Sequence, residues 1–157
     1  MKNNKIFLVI SIILISILAI LGFFILDKSH VSREEFGIYL LESDELVISD
    51  KDILLYNKSS HEIKLTGEGC EKIKALKVPV SGKSFVVKLN SVKIYNGSFW
   101  TSISSLSYSG IVINTLIQNN SIKIELGYPT SQFYIGIDLR NQPEIFDHFQ
   151  KNGKLTQ

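Results

Sequence analysis

Three histidines and one cysteine are the side chains of this sequence best suited to metal binding or to nucleophilic chemistry. His30, His61 and His148 lie far apart in the chain, and no pair has the i, i+4 spacing by which a helix presents two zinc ligands. Cys70 cannot complete a thiolate site alone and allows no intramolecular disulfide. A lone thiol is more often a small buried hydrophobic side chain. We therefore expect no metal site and a buried Cys70.

The densest group of carboxylates lies at residues 44–52 and raises the question of calcium binding. An EF-hand loop needs acidic ligands through position 5, a glycine at position 6 and a glutamate at position 12, and this pattern fails here. Ser49 and Asp52 instead have the Ser-x-x-acid spacing of a helix N-cap. The sequence therefore predicts capping carboxylates and a single helical turn leading into Tyr56.

Hydrolysis would need a nucleophile held by a general base, and no motif supplies one. The chain lacks G-x-S-x-G, and the serines of the stretch SFWTSISSLSYSG have no evident histidine partner. Gly67, Gly69 and Gly82 form neither G-x-G-x-x-G nor a phosphate-binding loop. We predict no catalytic residue and no cofactor. A hydrolase with an unrecognised active site, including paired acids that meet only in the folded chain, stays open as the alternative.

The aromatic pair Phe99 and Trp100, near Tyr95 and Tyr108, is the remaining candidate for binding. Adjacent residues on a strand point to opposite faces, so one of the pair is expected to be buried and the other exposed. An exposed Trp100 could anchor a protein or peptide partner. Packing of the cluster in the core is the favoured interpretation, and Phe99 and Trp100 stand as candidate binding residues beside it.

The elements that position these residues begin with an apolar run, Ile6–Leu26, which contains no charged side chain. As a helix it would span about 31 Å, close to the hydrocarbon thickness of a bilayer. A cleaved signal peptide is the competing interpretation, but its apolar region usually covers about 7–15 residues and ends at a small-residue cleavage site. The sequence predicts a retained signal-anchor, a single-pass transmembrane helix whose partner is the lipid bilayer.

Flanking lysines predict the orientation of this helix. Lys2 and Lys5 precede it without an acid, whereas residues 27–35 mix both signs. The positive-inside rule then places the N-terminus in the cytoplasm and the C-terminal domain outside the cell membrane. The predicted organisation is a basic flank at 1–5, the helix at 6–26, a stalk at 27–35 and an extracytoplasmic domain at 36–157.

Charge argues against nucleic-acid binding. The chain has 17 basic and 15 acidic side chains, and two of the basic ones lie in the membrane flank, so that the remainder is balanced. The slightly basic pI thus belongs to the flank and not to a surface that would attract phosphates. Within the domain, residues 27–52 are acidic and residues 53–95 are lysine-rich. Ordinary solvated faces are the favoured explanation, and a lysine-rich docking face is the alternative.

The rest of the chain alternates strand patterns with two helix patterns. Strands are predicted at 36–42, 61–65, 85–89, 92–95, 98–103, 111–117, 121–126 and 132–139, with turns at Asn90-Ser91, Asn96-Gly97, 106–110 and 118–120. Thr66 is a plausible N-cap for a helix that ends before Pro79, and Asn141 for a helix that contains Pro143. The predicted fold is α+β: a mainly antiparallel sheet with two principal helices.

Three stretches carry a resemblance to a known family. They are HEIKLTGEGCEKI, GKSFVVKLNSVKIYNG and EIFDHFQKNGKL. Together they resemble the extracytoplasmic head subdomain of the SecD and SecF type of protein-export membrane proteins, over about residues 46–155. The family's usual proline after the hairpin is replaced here by Asn96-Gly97. Its proton-coupled bundle of membrane helices has no counterpart in one helix that lacks ionisable residues.

These features together predict a membrane-anchored interaction module without enzymatic activity. The resemblance implies an association with protein export or the cell envelope. The module would bind a protein or peptide, and neither a metal nor a cofactor is expected.

Overall fold

A mixed nine-stranded β-sheet organises residues 35–157, the part of the chain that the computed structural model describes. The strands are β1 (Phe36–Leu40), β2 (Leu46–Ser49), β3 (Ile53–Asn57), β4 (Glu62–Leu65), β5 (Lys83–Leu89), β6 (Val92–Trp100), β7 (Tyr108–Asn114), β8 (Ser121–Tyr128) and β9 (Leu155–Thr156). Their order across the sheet is β2-β1-β5-β6-β7-β8-β4-β3-β9. Neighbouring strands are antiparallel except for the parallel pairs β6–β7 and β3–β9. The predicted α+β class with a mainly antiparallel sheet is confirmed.

Two α-helices accompany the sheet, as predicted. Helix α1 (Gly67–Ala75) begins at Thr66, whose Oγ1 accepts a hydrogen bond from the backbone N–H of Gly69 at 3.1 Å. Helix α2 (Pro143–Lys151) has its proline in the first turn, where the missing N–H costs no hydrogen bond. The prediction of Asn141 as its cap was wrong by one residue. Gln142 is the cap and makes no side-chain capping bond, and the Asn141 amide donates to Asp138.

Buried apolar side chains from the strands and both helices form one core. Cys70 and Ile73 enter it from α1, and Ile145 and Phe149 from α2. The ring of Phe149 stacks on that of Tyr56 at 5.0 Å between centroids. Cys70 is a buried free thiol, as expected of a lone cysteine.

Tight turns hold the two predicted hairpins. Asn90 and Ser91 connect β5 to β6 with φ of 53° and 67°, and Asn119 and Asn120 precede β8 with φ of 51° and 59°. Two consecutive positive φ values are typical of the type I′ turn, whose twist matches that of the flanking strands. Both hairpin predictions are confirmed in position, but β7 ends at Asn114, before the predicted end of its strand at 117.

The predicted turn at Asn96-Gly97 was wrong, because both residues lie inside the continuous strand β6. Gly97 is opposite Phe85 in the sheet, and a Cβ at Gly97 would meet the Phe85 ring at 2.4 Å. Glycine is therefore needed here for space and not for a turn. The predicted link at 106–110 was also partly wrong, since β7 already begins at Tyr108.

The predicted strand at 132–139 was wrong as well. Residues Ser131–Phe133 form a 3₁₀ turn, and the chain then continues without strand pairing. Both edges of the adjacent strand β8 are already occupied, by β7 and by β4. The segment therefore cannot pair with β8, despite its alternating apolar pattern.

The predicted transmembrane helix at Ile6–Leu26 and its basic flank lie outside the described residues, as does the stalk except for Glu35. Within 35–157, no helix has both the length and the apolar character needed to cross a membrane.

Candidate functional site

A histidine in an unusual backbone conformation marks the most distinctive polar site. His61 closes the turn between β3 and β4, with a φ of 54° and only 5% of its surface exposed. The turn is held by Asn57, whose side-chain oxygen accepts hydrogen bonds from the backbone N–H groups of Ser59 and Ser60 at 3.0 and 2.8 Å. The carbonyl of His61 accepts a bond from the N–H of Ile124 in β8 at 3.0 Å. Neighbouring strands thus hold His61 in a region that costs about 1–3 kcal/mol.

A buried tyrosine contacts the imidazole of His61. The hydroxyl of Tyr56 lies 3.0 Å from Nδ1 of His61. Burial raises the pKa of Tyr56 well above its ordinary value, so the hydroxyl keeps its proton. Since that hydroxyl has no other acceptor among residues 35–157, we assign it as the donor and Nδ1 as the acceptor. This assignment places the histidine proton on Nε2.

Burial also lowers the pKa of His61, and the nearby Arg140 guanidinium lowers it further. The side chain is therefore neutral at pH 7, because its ordinary pKa of 6.5 already lies below that pH. A neutral ring with its proton on Nε2 can donate one hydrogen bond without adding a charge to the site.

A fixed ion pair forms one wall beside this histidine. Asp138 Oδ1 accepts from Arg140 Nε at 2.9 Å, and Oδ2 accepts from Nη2 at 2.8 Å. Arg140 Nη1 donates to the carbonyl of Ile124 at 2.9 Å. The hydrogen bonds from Arg140 lower the pKa of Asp138, so the carboxylate stays ionised. All three guanidinium contacts fix Arg140 in place, and its charge acts as a static part of the site.

These residues surround an open, polar concavity of about 560 Å³, which we name the basin. It is lined by Lys58, Ser59, Ser60, His61, Lys123, Asp138, Arg140, Asn141 and Gln157. Its lining carries three cationic side chains against one carboxylate. The ammonium group of Lys58 also lies 4.8 Å from the centre of the Phe146 ring, which restricts its position. Lys123 is opposite Glu62 in the pairing of β8 with β4, so part of its charge is offset by that carboxylate.

The basin is suited to holding a carboxylate or another small anionic group. Lys58 and Lys123 can supply ammonium donors, and His61 a neutral N–H donor. Among the described residues, no group of three or more histidine, cysteine, aspartate or glutamate side chains could hold a metal ion.

The predicted binding residues Phe99 and Trp100 are not exposed, and the expectation that one of them faces solvent was wrong. Phe99 is completely buried, and its ring centroid lies 5.1 Å from that of Phe85. Trp100 is 2% exposed, because the rings of Tyr108 and Tyr128 cover it with centroids at 5.2 and 5.6 Å. Both faces of the sheet are covered at this point, so the alternation of side chains buries both residues.

The other chemically capable residues make contacts that join elements of the fold. His148 is buried, and its Nε2 lies 2.7 Å from Asp50 Oδ1, which joins α2 to the turn after β2. Asp52 Oδ2 accepts hydrogen bonds from the backbone N–H and the hydroxyl of Ser49, each at 2.8 Å, and Oδ1 accepts one from Lys72 at 2.8 Å. The capping role predicted for Asp52 is confirmed. Asp44 pairs with Lys88.

Sequence reasoning missed the basin, because its residues come from four separate stretches of the chain. The local signals were the run Asn57–His61, which has the composition of a turn, and the i, i+2 spacing of Asp138 and Arg140. Neither signal places the two stretches together, since that requires the pairing of β4 with β8.

Comparisons with known proteins add no assignment: no protein-family model matches this chain, and neither a curated protein nor a solved structure does.

Proposed function

We propose that this chain is a membrane-anchored, extracytoplasmic interaction module, and that it binds an anionic group of a partner polypeptide in the basin. The observation that carries the proposal is the neutral, tyrosine-held His61 beside Lys58 and Lys123. A strained backbone position at the lining of a concavity is the kind of feature found at ligand-binding sites. The excess of positive charge in the lining favours an anionic ligand.

The openness of the basin favours a macromolecule over a free metabolite. Small-molecule sites typically enclose most of the ligand's surface and are lined mainly by apolar groups. The basin is instead polar and open on one side. A carboxylate side chain presented by a polypeptide could enter it while the rest of the partner stays outside.

The predicted anchor would tether the domain that carries this site to the membrane. The resemblance of the sequence to the head subdomain of SecD and SecF suggests exported or envelope polypeptides as the class of partner. The alternative of an envelope hydrolase requires a nucleophile in contact with a base. In the described part of the chain, one histidine contact joins His61 to Tyr56 and another joins His148 to Asp50, and neither is a serine–histidine pair.

The test uses the full chain in detergent micelles and a fluorescein-labelled hexaglutamate peptide, with binding followed by anisotropy at low salt. We expect binding to weaken about five- to tenfold when Lys58→Gln and Lys123→Gln are combined, as two partly exposed charge contacts would predict. The matched control combines Lys64→Gln and Lys93→Gln, which removes the same charge at two exposed positions outside the basin. An equal loss in both double variants, or no binding by the wild type, would reject the basin as the site.

A further inference from the structure

We propose that residues 134–139 are a template for strand pairing, on which an extended acidic segment of the partner adds as a new strand. The partner's aliphatic side chains would pack on Ile135 and Ile137, and its carboxylate would enter the adjacent basin. This inference rests on the proposed function and assigns the conformation of the partner at that same site.

The apolar side chains of this segment are unusually exposed. Ile135 and Ile137 have 81% and 82% of their surface exposed, and Leu139 has 41%. The three residues alternate with Gly136 and Asp138, which is the pattern of a strand with one apolar face. Such a run of aliphatic side chains in water is costly, and contiguous exposed apolar surface often marks an interaction site.

The backbone of the segment is also open to pairing. The N–H of Ile135 donates to the carbonyl of Ser109 at 3.0 Å. Beyond it, the N–H groups of Gly136, Ile137 and Asp138 donate to no group of the described chain. Unpaired strand edges bind extended peptides through main-chain hydrogen bonds, while alternate side chains provide specificity.

One residue of the segment departs from the extended conformation. Gly136 has a φ of 134°, and a Cβ placed there would have no atom closer than 3.6 Å. Glycine changes between backbone conformations at little steric cost. Gly136 can therefore change conformation on pairing, and the Tyr134 hydroxyl, which donates to the carbonyl of Ile137, must then move with the backbone or release that bond.

The basin determines which kind of extended segment fits. Asp138, the next residue after Ile137, and Arg140, two positions further on, both line the basin. A paired strand advances about 3.3 Å per residue, so partner residues beyond the Ile137 contact would extend toward the basin lining to which Asp138 belongs. Because cationic side chains outnumber acidic ones in the basin lining, we infer that the bound segment has a carboxylate next to its aliphatic residues.

The test uses the full chain in detergent micelles and a fluorescein-labelled peptide of alternating valine and threonine that ends in two glutamates. A matched peptide replaces each valine by serine and keeps both glutamates. We expect the combined Ile135→Ser and Ile137→Ser variant to bind the first peptide about tenfold more weakly or worse, because the contact surface on the template becomes polar. Ile103→Ser is the control, since Ile103 is equally exposed at 82% but lies in another loop.

Solvent exchange of the amide protons, measured by NMR, tests the pairing itself. The exchange of Gly136 and Asp138 should slow when the peptide is bound, because N–H groups two residues apart point to the same edge of a strand and can enter one ladder. Unchanged exchange in the complex would overturn strand pairing. Slowing that depends on protein concentration, without peptide, would assign the template to a second copy of this chain and overturn the peptide proposal.

The failures of the two proposals differ. If the isoleucine variant binds like the wild type while the Lys58 and Lys123 variant loses affinity, the strand template is rejected and the anion site stands. If the Lys58 and Lys123 double variant binds both the hexaglutamate peptide and the valine–threonine peptide like the wild type, the proposed function fails. This inference then fails with it.

Discussion

At the scale of single residues, two buried tyrosines near the basin differ in one respect. The hydroxyl of Tyr56 is bonded to His61, whereas the buried hydroxyl of Tyr95 has no hydrogen-bond partner among the described residues. A buried polar group without a partner costs about 1–3 kcal/mol, and removing one partner of a buried pair leaves the other unsatisfied at a similar cost. The same chemical change should therefore have opposite effects at the two positions.

We expect Tyr95→Phe to leave the free energy of unfolding unchanged or to raise it by up to about 1 kcal/mol, because an unpartnered hydroxyl is removed. Tyr56→Phe should lower it by about 1–3 kcal/mol, since Nδ1 of His61 loses its donor. Denaturant unfolding followed by the fluorescence of Trp100, the single tryptophan, measures both. Equal destabilisation by the two variants would mean that the Tyr56 hydrogen bond contributes nothing specific.

The lowered pKa of His61 predicts a pH dependence of stability. The unfolded chain protonates this histidine near its ordinary pKa of 6.5, whereas the folded chain does so only at lower pH. The unfolded state therefore binds more protons in that window. The contribution of His61 to stability is complete above about pH 6.5 and is lost as the pH falls through the folded pKa.

His61→Asn removes the titration while keeping a residue that tolerates positive φ. We expect the fall in unfolding free energy between pH 7.5 and pH 5 to be smaller in this variant than in the wild type. Denaturant titrations at the two pH values give the comparison, and equal slopes would show that His61 titrates alike in the folded and unfolded chains.

The composition of the site could not have been predicted from these residues alone. His61 is one of three histidines, and its sequence neighbours indicate only a turn. Its buried partner Tyr56 lies five positions earlier, at the far end of that turn. What distinguishes His61 is its burial and its proximity to Arg140, and both depend on long-range packing.

At the scale of elements, local chemistry predicted much of the structure. The Thr66 cap, the Asn90-Ser91 turn and the start of α2 at Pro143 follow from backbone preferences that neighbouring residues decide. Errors arose where a distant side chain decides the outcome. Gly97 has the composition of a turn residue, but the ring of Phe85 on the next strand is the reason for its presence.

Two glycines provide a matched test of this interpretation. A Cβ at Gly97 would lie 2.4 Å from the Phe85 ring and 2.5 Å from the carbonyl oxygen of Ile111, whereas one at Gly67 would have no neighbour within 4 Å. We expect Gly97→Ala to lower the free energy of unfolding by about 1–3 kcal/mol through overpacking. Gly67→Ala, in the first turn of α1, should raise it by about 0.4–1 kcal/mol by restricting the unfolded chain.

Thermal or denaturant unfolding of the two alanine variants measures these effects. A Gly97→Ala variant as stable as the wild type would show that β6 and β5 separate easily at this point. Such a result would indicate that strand β6 is locally deformable at Asn96-Gly97.

At the scale of the whole molecule, the sheet order explains both the basin and the exposed segment. Strand β8 lies between β7 and β4, so a late strand joins the early β3–β4 hairpin to the rest of the sheet. That pairing brings the Asn57–His61 turn next to Lys123. It also closes the edge on which residues 134–139 would otherwise pair. Local patterns identify the strands but do not determine this order, and the same arrangement creates the candidate site and leaves the template open.

The orientation of the whole chain is the prediction on which the proposed partner class depends. If the N-terminus is cytoplasmic and the domain is outside, a cysteine in the domain should react with a membrane-impermeant thiol reagent on intact cells. Ser43→Cys suits the test, because Ser43 is exposed in the turn between β1 and β2. Asn3→Cys, in the predicted cytoplasmic flank, should react only after the cells are permeabilised. Wild-type chain gives the background, since its single Cys70 is buried and should label weakly. Labelling of Asn3→Cys but not of Ser43→Cys would invert the orientation and place the basin in the cytoplasm, which would remove exported polypeptides from the candidate partners.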